Sequence, residues 1–162
     1  MFKKAQKLLT ELKTTFFYEP QLTVFDVTPE LVSEKEIKLT GKVLEEKNKT
    51  LLATAFSEKM PGILLDMDNL QILQNANTPI LRVNKNLSSM HREKYFHTEL
   101  MTQMFYGDPI AVLVDEGDWV IGRNMLDGYI SYTYKKYLSE IPWLEPTHIV
   151  TTPVTTLYKS AD

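Results

Sequence analysis

The stretch Thr102–Tyr134, TQMFYGDPIAVLVDEGDWVIGRNMLDGYISYTY, decides the fold. Ile110, Val112 and Val114 alternate with Ala111 and Leu113. So short and so apolar a run suits a β-strand buried on both faces. Asp115-Glu116-Gly117-Asp118 then reads as a turn, with glycine where a positive φ is needed. Trp119–Ile121 reads as a second strand, Asn124–Gly128 as a second turn and Tyr129–Tyr134 as a third strand pairing back. Tight hairpins this close together suggest a meander, and closure into a small barrel would remove its exposed edges. A further turn, Tyr106-Gly107-Asp108-Pro109, precedes the run. Tyr106, Trp119, Tyr129, Tyr132 and Tyr134 crowd into this unit, where aromatic rings either fill the core or line a ligand groove. Trp119 is expected in the core and Tyr129 at the surface.

Thr102-Gln103, Gly107, Gly117-Asp118-Trp119 and Gly128-Tyr129 together resemble the bacterial SH3-like domain of NlpC-class cell-wall cysteine peptidases. In particular the chain looks like the dipeptidyl-peptidase VI type, which cuts γ-D-glutamyl-L-diamino acid bonds in murein peptides. The chain departs at the last element, where Ser131-Tyr132 stands in place of Gly-Trp. The resemblance implies an SH3-like domain lying against a catalytic cleft. There an acidic residue and a tyrosine hold the free amine of the substrate's N-terminal L-Ala, since a buried ammonium needs a carboxylate. Carried over, Tyr129 is the candidate tyrosine and Glu99 the candidate acid. Met101 stands directly before Thr102-Gln103, where one branch of the family has a carboxylate. Tyr129 serves equally well as a brace of the barrel.

The chain of 162 residues can hold one medium domain or two small ones, and at 43% hydrophobic and 24% charged it has the composition of a folded protein. A net charge of −3 leaves no basic excess to displace phosphate counterions, which argues against nucleic acid as a partner. There are no cysteines, so disulfides, thiolate zinc sites and a cysteine nucleophile are excluded from this chain. The resemblance therefore extends only to the region in front of a catalytic domain. No run is apolar and long enough to span a membrane, and MFKKAQKLLTELKTTFF is interrupted by Lys7, Thr10, Glu11 and Lys13, unlike a signal peptide. The expectation is a cytoplasmic protein, or one whose true N-terminus is missing.

Taken in order, Phe2, Ala5, Leu9, Leu12 and Phe16 mark one face of a helix reaching Tyr18, which packs on its own domain in preference to a membrane surface. Leu22–Val27 reads as a strand and Thr28-Pro29-Glu30 as a loop. Ile37, Leu39, Gly41 and Val43 alternate with Lys38, Thr40 and Lys42 as a half-exposed strand. Glu45–Met60 reads as a helix with Leu51, Leu52, Ala55 and Phe56 inward, stopped by Pro61-Gly62. Ile63–Leu65 and Leu70–Leu73 include another strand. This helix plus β-β-α-β unit is similar to the BON type of module, and no ligand is attached to it. Asn75–Pro79 is the expected boundary. Leu87–Thr98 reads as a long polar loop, Lys135–Leu138 as the short turn that closes an SH3 fold, and His148–Tyr158 as a strand pair opening a second SH3-like domain.

The expected fold class is thus α+β: an α+β module over residues 1–76, an all-β SH3-like barrel over 77–140, and a connector with a possible further domain start over 141–162. His91 and His97, with Glu93 or Glu99, are a weak metal candidate, because neither cysteine nor a tight HxxxH spacing accompanies them. The acidic turn Asp115-Glu116-Gly117-Asp118 is expected to be solvated. No cofactor motif is present, no catalytic residue is assigned, and a histidine–carboxylate hydrolase is the remotest reading. The leading expectation is a non-catalytic accessory or substrate-gating region of a murein-peptide peptidase. Its partner is a catalytic domain or a murein peptide with a free N-terminal L-Ala. The alternative is a stand-alone SH3-like module that grips cell-wall peptide or a protein through an aromatic groove.

Overall fold

The computed structural model describes residues 1–142, 151, 152 and 154–156. The strand pair expected over His148–Tyr158 falls, for the most part, outside the described residues. The chain is α+β. A helix α1 (Phe2–Phe16) leads to strands β1 (Phe25–Ser33) and β2 (Glu36–Val43), helix α2 (Glu46–Lys59) and two short strands, β3 (Leu64–Asp66) and β4 (Leu70–Ile72). Strand β2 is central. It pairs antiparallel with β1 on one side, and on the other it pairs parallel with β3 and then β4, which act as one strand broken by a turn.

Alternation sets the core of this half. Ile37, Leu39 and Val43 all point to one face of β2 and are at most 1% exposed. That face is covered by Ala5, Leu8, Leu9 and Leu12 of α1 and by Leu52 and Phe56 of α2. The apolar stripe of α1 is therefore spent on its own sheet. Thr28-Pro29-Glu30 is not a loop: β1 runs straight through it, with Pro29 opposite Leu39. An edge strand tolerates proline because its outward N–H would find no ladder partner.

The second half holds β5 (Ile80–Val83), β6 (Leu87–His91), β7 (Leu100–Phe105), β8 (Pro109–Glu116), β9 (Trp119–Asn124), β10 (Ile130–Tyr134), a 3₁₀ turn Lys135–Tyr137 and β11 (Leu138–Ser139). Its seven strands run in the order β11-β5-β8-β9-β10-β6-β7. Among the described residues no ladder joins β11 to β7, so the sheet is open and the closed barrel expected from the hairpins is not what forms. The sheet nevertheless curls around one core, Val83, Met90, Met104, Ile110, Val120 and Leu138, which draws on strands at both of its ends.

Leu87–His91 is a strand and not part of a polar loop. Ser88 and Met90 face inward, at 2% and 0% exposed, while Ser131 donates a hydrogen bond to the His91 carbonyl. Strand β8 is buried on both faces for a reason visible in the packing. Ile110 and Val112 face the core just named, while Ala111 and Leu113 face a second cluster with Leu44, Leu73 and Ile130. Leu44 and Leu73 come from the first half, so that half supplies the cover.

Polar contacts follow the same seam. The α1–β1 linker reaches across, with the Ile130 N–H donating to the Gln21 carbonyl at 2.6 Å. Arg123 on β9 donates to the Glu45 carboxylate at 2.5 Å and to the Gln74 side-chain carbonyl at 2.9 Å. Glu45 also caps α2, in a reciprocal arrangement with Asn48. Burial raises the Glu45 carboxyl, but hydrogen bonds from Lys47 and Arg123 and their charges outweigh it and hold the group below its ordinary value of 4.5. A depressed carboxylate stabilises the fold above its unfolded pKa and loses that contribution as pH falls through the folded value. Arg123→Met is expected to cost about 1 kcal/mol at pH 7, because it takes from a half-buried carboxylate one of its two cationic partners and leaves Lys47 as the other. The melting-temperature gap between the two proteins should narrow as pH falls below 4.5 and Glu45 takes up its proton; a gap that stays constant as pH falls would assign the loss to packing instead.

Candidate functional site

Strands β9 and β10 pair in simple register, so Trp119, Ile121 and Arg123 stand opposite Tyr134, Tyr132 and Ile130 on one outer face. The three pairs divide that face into three zones. Arg123 and Ile130 belong to the seam. Ile121 and Tyr132 line an apolar cleft of about 270 Å³, with Pro20, Gln21, Met101 and Arg92. Trp119 and Tyr134 open an aromatic platform.

The platform is a set of touching rings. Trp119 lies 5.5 Å from Tyr134, which lies 5.2 Å from Tyr137 of the 3₁₀ turn. Phe96, delivered by the loop between β6 and β7, sits over them at 4.9 Å from Trp119 and 5.2 Å from Tyr134. His91 packs edge-on beneath, 5.8 Å from Phe96 and 5.9 Å from Trp119. Trp119 is therefore not a core residue, as its position in the hairpin suggests. Val120 takes the inward position next to it at 0% exposed, and Trp119 stays half-buried on the outside. Phe96 is 46% exposed despite its ring contacts, and His91 is 6% exposed with a buried Nδ1 that has no hydrogen-bond partner among the described residues.

Charges rim the platform. The acidic turn is exposed, as expected, and its acids also meet lysines: Asp115 pairs with Lys135 at 2.5 Å, Glu116 with Lys94 at 3.0 Å, and Asp118 loosely with Lys136 at 3.9 Å. The Lys135 hydrogen bond, and then the Gly117 N–H, hold the Asp115 carboxyl below its usual range. Lys136 is raised by the Tyr134 hydroxyl beside it, and lies over the Tyr134 ring at 5.6 Å. Lys85 lies over Tyr137 at 6.0 Å.

The residues singled out in the sequence fall elsewhere. Tyr129 is half-buried at the turn into β10, where its N–H donates to Asp127 and its carbonyl accepts from the Asn124 N–H. Glu99 is exposed before β7 and is held by Arg92 at 2.7 Å. Among the described residues no hydrogen bond or ring contact joins the two, and neither lines the cleft. Met101 does line it, beside Arg92. Thr102 donates to Asp127 at 2.8 Å, tying β7 to the turn that carries Tyr129. His91 and His97 are separated in role: His91 lies under the rings, and His97 packs against Tyr95 at 5.3 Å in the exposed loop. Among the described residues there is no cluster of three or more metal-ligating side chains, and no helix is long and apolar enough to cross a membrane.

Sequence reasoning missed Phe96 and Tyr137. The signal for Tyr137 was available in the spacing of Tyr132, Tyr134 and Tyr137, two on one strand face and one in the turn after it. No protein-family model, curated protein or solved structure matches the chain.

Proposed function

We propose that this chain is a non-catalytic peptide-recognition region, an α+β module followed by an SH3-like domain, whose ligand is murein peptide. The observation that carries the reading is the half-exposed platform of Phe96, Trp119, Tyr134 and Tyr137, continuous along β9 and β10 with the apolar cleft at Ile121 and Tyr132. Rings and an adjoining cleft on one strand face accept an extended chain, with alternate groups on the platform and in the cleft. The SH3-like reading draws support from the hairpins β8–β9–β10, the 3₁₀ turn before β11 and the single core beneath them. Within a larger assembly the same face is where a catalytic peptidase domain would dock or receive substrate.

Recognition of a free amine by Glu99 and Tyr129 is less well supported than recognition by the rings. Glu99 already faces Arg92, and the cleft beside it offers Met101 and a guanidinium in place of a carboxylate. The test is an NMR titration of the full chain with L-Ala-γ-D-Glu-diaminopimelate. Shifts are expected at the Trp119 indole N–H and at Tyr132, Tyr134 and Tyr137. Shifts confined to Tyr129 and Glu99 would return the site to the amine gate, and no shift at millimolar peptide would reject the murein reading.

A further inference from the structure

Resting on the ring platform as the binding surface, we infer that its ligand is an extended acidic peptide whose methylene chains lie on the rings and whose carboxylates are held by Lys85 and Lys136. The argument is one of charge. Of the three acids in the Asp115–Asp118 turn, Asp115 and Glu116 are closely paired with Lys135 and Lys94. The third, Asp118, stands 3.9 Å from Lys136, a loose contact between side chains that are both 71% exposed. Lys85 has no ion pair among the described residues and rests only on the Tyr137 ring. Among the described residues, positive charge is thus left over at the Tyr134–Tyr137 end of the platform, on the faces of the rings a ligand would cover. An ammonium there gains more from a ligand carboxylate than from an exposed aromatic face, because the charge-assisted hydrogen bond is the stronger contact.

The rings suit the rest of such a ligand. They are half-exposed, tilted against one another, and beneath them the His91 Nδ1 is buried with no hydrogen-bond partner among the described residues. Phe96 covers that imidazole from a loop whose ties to the sheet include the exposed Lys94–Glu116 pair. A peptide alternating carboxylates with short methylene stretches matches both halves of the surface.

The test is calorimetric titration of the full chain with L-Ala-γ-D-Glu-diaminopimelate and with the same peptide amidated at every carboxylate. Lys85→Gln/Lys136→Gln is titrated in parallel; both residues are at the surface, and neither supports the core. Amidation is expected to weaken binding about tenfold, and the double variant to weaken the acidic peptide by a similar factor while leaving the amidated one unchanged. Equal affinity for both peptides, with NMR shifts still at Trp119, would overturn the carboxylate inference and leave the ring platform standing. Failure of both peptides to bind would overturn both. Binding of an oligothymidylate through the same lysines, without peptide binding, would overturn the inference in favour of single-stranded nucleic acid.

Discussion

Gly41→Ala is expected to lower the stability of the chain by about 3–5 kcal/mol, close to the whole margin of many domains of this size. The position looks innocuous in the sequence, the third of four alternating residues along β2. Its neighbours Leu39 and Val43 carry large side chains toward the helices. Its φ of +115° is one that L-residues rarely adopt. Worse, a Cβ built there lies 2.0 Å from the Asp26 carbonyl oxygen and 3.0 Å from the carbonyl carbon, both backbone atoms of β1. No rotamer change relieves a clash with backbone, so β1 must move away from β2 and break the ladder that holds Pro29 and Val27 in place. Gly62→Ala is the control. Its φ is +82° and nothing lies within 4 Å of the built Cβ. It carries the conformational penalty alone, about 1–2 kcal/mol. Urea denaturation of both variants separates the two contributions. A Gly41→Ala loss no larger than that of Gly62→Ala would mean that β1 does not lie against Gly41.

That example also marks what was legible in the sequence. The alternation Ile37-Lys38-Leu39-Thr40 announced a strand with one buried face, and the inward set of α2 announced a helix, because both depend on local periodicity. The turns at Gly107 and Gly117 were legible for the same reason. Features that depend on partners were not. Leu87-Ser88-Ser89-Met90-His91 has too few apolar residues to read as a strand. It is one because β7 and β10 flank it and Ser88 tolerates a buried inward position. Thr28-Pro29-Glu30 reads as a loop until β1 is known to be an edge. Trp119 reads as core because tryptophan usually buries its ring. Register decided otherwise, since the one-residue alternation that places Val120 inside obliges Trp119 to face out. The candidate site follows the same division. The tyrosines of β10 were visible as an excess of rings, but Phe96 reaches them from a loop more than twenty residues earlier, and no local pattern records that contact.

Trp119→Ala is expected to weaken the binding of murein tripeptide at least about thirtyfold, the scale on which a central aromatic anchor contributes to an interface. Trp119 meets Phe96 and Tyr134 on the platform and His91 beneath it. Its removal takes away the largest flat surface and leaves Phe96 without its closest ring. The fold should survive, because Trp119 is outside the core formed by Val83, Met90, Met104, Ile110, Val120 and Leu138. Val120→Ala supplies the opposite case one residue away. Val120 is fully buried, so truncating it is expected to cost about 2 kcal/mol of stability while leaving the peptide affinity of the folded fraction unchanged. The pair therefore tests register and function together. If Trp119→Ala unfolded the chain and Val120→Ala abolished binding, the faces of β9 would be exchanged and the platform would not exist. If both variants folded and bound as well as the parent, the rings would be packing only, and recognition would have to be sought at Tyr129 and Glu99. Loss of binding in Trp119→Ala alone, with a melting transition still cooperative, places the ligand on the outer face of β9 and β10.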